Sequence, residues 1–363
     1  MVDGDRLLLE TWRKSSATVG EWDALAERNG NPFGSPEWNL TWWKHWGAGR
    51  ALRISACRRA QAGTLVAIYP LYLATRRPLR VLRFLGHGPG DMLGPVCAPA
   101  DRAAAGEGFR RALTELGGNW DLLLGQQVPA ADGVAVALGA HVLRRERSPV
   151  LPIVWAAWDD YLASRSANFR QQLRRRERRL ARSRAVRFRL TVDQTELHRD
   201  LTTLFSLHTA RWGTRASSAL APSRQPFHRE FAARALARGR LRLWILEVEG
   251  DPVAAWYGFR LGGIESYYQA GWDPRWADAS VGTILLAHSI RSAFEDGMRE
   301  YRFLRGGEEY KGRFTDSDAE LETFALGNGL LGNAAVVLAR RSATRGWSRG
   351  PLGSVRRLIG LRG

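Results

Sequence analysis

The stretch YRFLRGGEEYKGRF, residues 301–314, sets two carboxylates, a phenol and an ammonium side by side at Glu308, Glu309, Tyr310 and Lys311. An apolar run from Tyr301 to Leu304 reads as a buried strand and breaks at two glycines just before them. Lys311 is one of three lysines in a chain with 51 arginines. Such residue types after a strand end are those of a catalytic loop. They are equally those of a polar turn.

Three other places carry usable chemistry. His208, Arg211 and Trp212 in SLHTARWG stand at i, i+3 and i+4, so they share one face of a helix. A histidine, a guanidinium and an indole suit an acceptor bearing a carboxylate; an arginine stacked on tryptophan is the purely structural alternative. In GWDPRWADASVGTILLAHSIRSAFEDG, residues 271–297, a strand ends in a loop that feeds a helix beginning Ser280-Val281-Gly282-Thr283. Small residues there let backbone amides approach a ligand, and a helix N-terminus is an anion site suited to phosphate. An ordinary capped helix would look the same. Asp273 follows the strand and is a further candidate, although turn chemistry in WDPRW also accounts for it. The glycine-rich loop GHGPGDMLGPV, residues 86–96 with Asp91, reads either as part of a cleft or as turns.

Several classes find no support. The sequence has no nucleotide P-loop, no HExxH, no CxxC pair and no GxSxG elbow, and its seven histidines do not fall at metal-ligand spacing. No metal is expected. Cys57 and Cys97 are too few for a disulfide framework and sit in no nucleophile motif; both read as small buried side chains in a reducing, cytoplasmic setting. The opening MVDGDRLLLETWRKSS places acids where a leader would be basic. No apolar run reaches the ~20 residues needed to span a bilayer.

At 363 residues the chain suits one large or two ordinary domains. Its net charge of +18 is concentrated. Residues 159–190 hold 11 arginines against three acids, and residues 331–363 hold seven arginines and no acid. A polyanionic partner or a solvated helix face would each explain such segments.

The elements that must position these residues come in a repeated order. A capping box at Thr18 and Glu21 predicts one helix. Ser35, Pro36, Glu37 and Gly47 bound a second in GSPEWNLTWWKHWG. Strand-like runs follow from residues 52, 64 and 80, then a helix over 101–116 and a short strand from 120. The second half repeats the series: helices near 194–212 and 222–238, strands from 240, 251 and 264, a helix from 282 and the strand YRFL. Each half thus reads as an antiparallel meander that a helix joins to a further strand. Between them NFRQQLRRRERRLARSRA, residues 168–185, forms a helix with a narrow apolar stripe of Phe169, Leu173 and Leu180. Beyond residue 328, LLGNAAVVLARRS and LGSVRRLIGLRG can each form a basic amphipathic helix, able to lie on an anionic membrane or to dock on the protein.

Six stretches, in order, resemble the CelD-type branch of the GNAT acyltransferases. They are NPFGSPEWNLTWWKHWG, NFRQQLRRRERRL, LFSLHTARW, GRLRLWILEVEGDPVAAWYGF, YYQAGWDPRWADASVGTILLAHSIRSAFEDG and RFLRGGEEYKGRF. The resemblance spans about residues 20–327. That branch is similar to the FemAB-type aminoacyltransferases, which carry two GNAT-like halves. It implies an α/β (α+β) fold of two tandem GNAT-like domains, each a mixed, mostly antiparallel sheet flanked by helices. The expected boundaries are 1–155 for the first half, 156–186 for an Arg-rich connecting helix, 187–328 for the half with the acyl-CoA site, and 329–363 for a basic tail.

What the resemblance implies for function is transfer of an acyl group, acetyl in the simplest case, from acyl-CoA to an amine. The acceptor would be a small molecule or a cell-envelope or polysaccharide precursor. Ser280, Val281, Gly282 and Thr283 would hold the donor, although DASVGTIL keeps one glycine where the family usually shows Q/R-x-x-G-x-G/A. Glu308 or Glu309 would be the base, Tyr310 the acid for the leaving sulfur, and Lys311 a point charge for a carboxylate or phosphate. His208, Arg211, Trp212, Tyr268 and Asp273 would meet the acceptor. Two alternatives accompany this reading. One is aminoacyl transfer from tRNA, with the Arg-rich helix on RNA phosphates. The other is a non-catalytic scaffold in exopolysaccharide or cellulose synthesis, with the tail peripheral at the inner face of a membrane.

Overall fold

The structure, a computed structural model, describes residues 6–13, 15–182, 184–213 and 218–344. Contacts divide it into two units, Met1–Arg147 with Ala319–Gly363, and Ser148–Asp318.

The first unit runs β1 (Leu7–Thr11), α1 (Ser16–Asn29), α2 (Pro36–Trp46), β2 (Ala51–Arg59), β3 (Leu65–Arg76), β4 (Leu79–Phe84), β5 (Val96–Cys97), α3 (Arg102–Glu115), β6 (Leu122–Pro129), α4 (Val134–Leu138) and β7 (His141–Glu146). Helix α1 opens on a reciprocal capping box of Ser15 and Thr18. The box thus lies three residues before the expected pair, because Ser15 can reach the Thr18 amide. Helix α2 opens as expected, with Ser35 accepting from the Trp38 amide and Pro36 in the first turn. Strands β2, β3 and β4 form the meander, and α3 leads to β6, which lies parallel to β4.

The second unit runs β8 (Val150–Pro152), α5 (Trp158–Ser164), α6 (Ala167–Ala181), β9 (Val186–Leu190), α7 (Gln194–Trp212), α8 (Gln225–Ala237), β10 (Leu241–Val248), β11 (Asp251–Leu261), β12 (Ile264–Trp272), α9 (Val281–Glu295), β13 (Glu300–Arg302) and α10 (Glu309–Gly312). Its sheet has the order β8-β13-β12-β11-β10-β9, and β13 is parallel to β12. Side chains of α5, α6 and α9 bury one face, with Trp256, Tyr267 and Tyr301 at the centre. On the opposite face Tyr257, Phe259 and Tyr268 meet His228 and Phe231 of α8. Both units therefore carry the anticipated order: two helices, a three-stranded meander, a helix and a parallel strand.

The division of the chain differs from the expected boundaries. Strand β14 (Leu321–Gly327), placed by sequence in the second half, inserts between β6 and β7 of the first sheet. Gly125 makes room for it: a Cβ there would stand 2.3 Å from the Phe324 ring. Helix α11 (Gly329–Thr344) then packs on β14, β7 and β6. The Arg-rich segment is not a free connector either. Phe169, Leu173 and Leu180 are buried in the core of the second unit, so α6 belongs to it. Periodicity identifies such elements but does not say which sheet receives them. The expected second tail helix, from residue 352, lies outside the described residues. Among the described residues, no helix is long and apolar enough to cross a membrane.

Candidate acyl-transfer site

Strands β12 and β13 pair over three residues, Ile264–Ser266 with Glu300–Arg302. Strand β12 then runs on to Trp272 with β11 along its other edge. The continuation leaves a gap on the side that β13 has vacated. Tyr267, Ala270 and Trp272 line one wall of a cavity of about 210 Å³ there. Tyr310 and Arg211 line another. The floor is the start of α9, with Ser280, Val281, Gly282 and Thr283 all contributing. Ser280 adopts φ +55°, ψ +37°, and its side chain makes no capping hydrogen bond to α9. The helix start and its dipole therefore put positive partial charge beside the cavity, although the Thr283 and Ile284 amides already donate to the Ser280 carbonyl, at 2.9 and 3.1 Å. Gly282 lies close under an indole: a Cβ there would stand 3.0 Å from Trp272 Cδ1.

A wider groove of about 1230 Å³ shares Trp276 and Ser280 with this slot. Arg175, Arg176, Arg179 and Arg182 line it from α6 and its C-terminal cap, and Arg184 and Arg275 add to them. The Arg184 guanidinium lies 4.9 Å from the centre of the Trp276 ring. Three acids, Asp251, Asp273 and Asp278, share the lining, and Asp273 is already paired with Arg275. The groove is therefore electropositive.

The slot holds two phenols. Tyr310 Oη is 3.5 Å from Tyr267 Oη. Burial pushes both phenol pKa values up, and for Tyr310 the neighbouring Tyr267 adds to the effect. Both are neutral O–H groups at any ordinary pH. Arg211 lies over the rings of Trp212 and Trp272, at 4.3 and 5.2 Å.

Of the residues singled out from the sequence, Ser280, Val281, Gly282, Thr283, Arg211 and Tyr310 come together in the slot. The others do not line it. Lys311 is 3% exposed and donates to the carbonyls of Arg305, at 2.8 Å, and Gly306, at 3.2 Å, while pairing with Glu308 at 2.9 Å. It fastens the loop rather than a ligand. Glu308 is held in that pair, and Glu309 faces solvent beside Arg313. Neither carboxylate lines the slot, although the charge of Glu308 acts on both of its phenols. His208 is buried, with its ring near Ser218 Oγ, and burial pulls its pKa down. Trp212 is exposed on the outer side of Arg211. Tyr268 points to the opposite face of the sheet, against His228 and Phe259; its neighbour Tyr267 takes the slot. Adjacent strand residues point to opposite faces, and the register shift opposite Tyr257 and Gly258 sets which one turns inward. Asp273 caps the 3₁₀ turn Pro274–Ala279 and holds Arg275. Sequence reading missed Tyr267, Trp272, Trp276 and the groove arginines as a group. The arginines were visible as charge, but not as the wall of a cavity.

A helix that starts beside the splayed end of a parallel strand pair is the plan of a GNAT acyltransferase domain. Residues 167–312, all within the second unit, match the Acetyltransferase (GNAT) domain family, so this stretch is a domain of the GNAT type. No curated protein matches it by sequence. Among solved structures it is similar to FemX, with a TM-score of 0.65 at 12% identity, covering 91% of this chain and 100% of that one. It is also similar to the C-terminal domain of a protein assigned as a lysylphosphatidylglycerol synthetase from Agrobacterium fabrum (TM-score 0.55, 13% identity, 92% and 98% covered). L-PGS from Bacillus licheniformis gives 0.54 at 13% identity, with 90% and 96% covered. At such identities the likeness is one of fold.

Proposed function

We propose that this GNAT-fold protein transfers an acyl group, acetyl in the simplest case, from acyl-CoA to an amine. The acceptor would be a small molecule or an envelope or polysaccharide precursor. One observation carries the reading: a narrow, aromatic-lined slot ends at the uncapped start of α9 and opens into an arginine groove. The thioester arm of a donor fits the slot, the α9 amides suit its pyrophosphate, and the arginines suit the remaining phosphate.

In this scheme the amine attacks the thioester carbon directly. The C–N bond forms, the C–S bond breaks, and Tyr310 gives its proton to the departing sulfur. The phenol recovers a proton from the nitrogen, so the products are an amide and free thiol. No carboxylate lines the slot, so in this scheme the acceptor arrives as free amine, and the rate should rise with pH through the amine's own pKa. A thiol-release assay against a panel of amines tests this. Acyl-CoA-dependent thiol release that needs an amine supports the proposal; hydrolysis alone, or silence with every donor and amine, counts against it.

The alternative donor, aminoacyl-tRNA, has one observation of its own. The basic face of α6 continues past the groove to a second, shallow one lined by Arg170, Arg174 and Arg178. A longer polyanion would use both. Aminoacyl transfer from charged tRNA with no response to acyl-CoA would select this reading.

A further inference from the structure

Helix α11 is apolar on two sides. Its inner face, Gly332, Ala335, Val336 and Ala339, packs against Leu79, Val81, Leu122, Leu124 and Ala325. The contact is close: a Cβ on Gly332 would stand 1.8 Å from the Asp121 carbonyl oxygen. The Asn328 side chain secures the approach by donating to the carbonyls of Gly117 and Trp120, each at 2.9 Å. The helix is therefore docked, and its outer face is a fixed surface.

That outer face carries Leu330, 93% exposed, and Leu331, Val337 and Leu338, each at least 40% exposed. They stand at i, i+1, i+7 and i+8, on one side of the helix. Single exposed aliphatics are ordinary; two pairs on one side of a helix mark an interaction surface. The charge of the chain from here on is of one sign. No acid follows Glu322, and the last 41 residues hold seven arginines, two of them, Arg340 and Arg341, exposed on α11 itself.

We propose that this face of α11, with Arg340 and Arg341 on the same helix, binds an anionic lipid surface. The occupant must accept leucine side chains and offer negative charge, and a bilayer rich in acidic headgroups does both. A second copy of the chain fits less well, since a two-fold contact would set the same arginines against each other.

Flotation of the full-length protein with vesicles tests this. Vesicles of phosphatidylcholine with one third phosphatidylglycerol should carry the protein at low salt and release it at high salt, and pure phosphatidylcholine should carry little. The variant with Leu330, Leu331, Val337 and Leu338 all changed to serine should melt like the parent and bind about tenfold more weakly. Arg340→Gln and Arg341→Gln should each cost about fivefold. Cys57 and Cys97 are buried, so a polarity-sensitive dye on Leu338→Cys is selective and reads insertion even if the serine variant fails to fold. A blue shift with anionic vesicles alone supports the proposal. Equal binding to both vesicles, no binding, or a dimer of the parent that the serine variant abolishes would overturn it.

Discussion

Lys311 is where residue identity says most and was easiest to misread. Its rarity as a lysine among arginines was visible in the sequence, and the reason for it is geometric. A compact ammonium directs its N–H groups to the Arg305 and Gly306 carbonyls and to Glu308 within one loop. A planar guanidinium cannot make that set. Lys311→Met should lower stability by about 2–3 kcal/mol. Lys311→Arg should cost about 1–3 kcal/mol through overpacking, although it keeps the charge. Urea titration of both variants checks this, and an Arg variant as stable as the parent would contradict it. Tyr310 behaves differently, because its hydroxyl lies in the slot. Tyr310→Phe should leave the melting temperature nearly unchanged and reduce kcat by about a hundredfold or more. The sequence pointed to Tyr310 by its neighbours. It could not separate Tyr267 from Tyr268, since two tyrosines in a row occupy both faces of a strand.

At the scale of elements, close approaches of backbone fix the site. Gly271 on β12 lies under α7: a Cβ there would stand 2.2 Å from the His208 amide nitrogen. Helix α7 also carries Arg211, so Gly271→Ala should both destabilise the protein, by about 1–3 kcal/mol, and weaken donor binding. Melting curves with and without donor separate the two effects. The helix and strand order was legible because caps, glycine turns and periodicity are local. The partner of β14 was not legible, since its seat between β6 and β7 depends on a space opened by Gly125 nearly 200 positions earlier in the chain. For the same reason the arginines of α6 read as a solvated face until packing of Leu173 and Leu180 turned them along the groove.

For the whole molecule, buried histidines contribute to the response to acid beside the ion-paired carboxylates such as Asp200. Burial holds the His228 pKa down at about 3 and that of His288 at about 4, against 6.5 for the free side chain. Both are neutral in the fold, and the unfolded chain takes up protons first. Their contribution is therefore complete above about pH 6.5 and is lost as pH falls towards 4 and 3. His228→Gln should flatten the loss between pH 6 and 4 by about 1.4 kcal/mol per pH unit, measured by urea titration across that range; an unchanged slope would contradict it. The net charge of +18 also implies that binding to any polyanion weakens steeply with salt. Donor affinities should accordingly be compared at one ionic strength.

The central claim is that the slot at the start of α9 takes an acyl-CoA, and calorimetric titration of the full-length protein with acetyl-CoA tests it most directly. The same titration of Ser280→Asp completes the test. Aspartate tolerates the left-handed backbone of residue 280 better than most side chains and places a negative charge at the amides of α9. The account predicts saturable binding to the parent and at least about tenfold weaker binding to Ser280→Asp. Equal affinity for both proteins, or no heat with acetyl-CoA or any longer acyl-CoA, would contradict it.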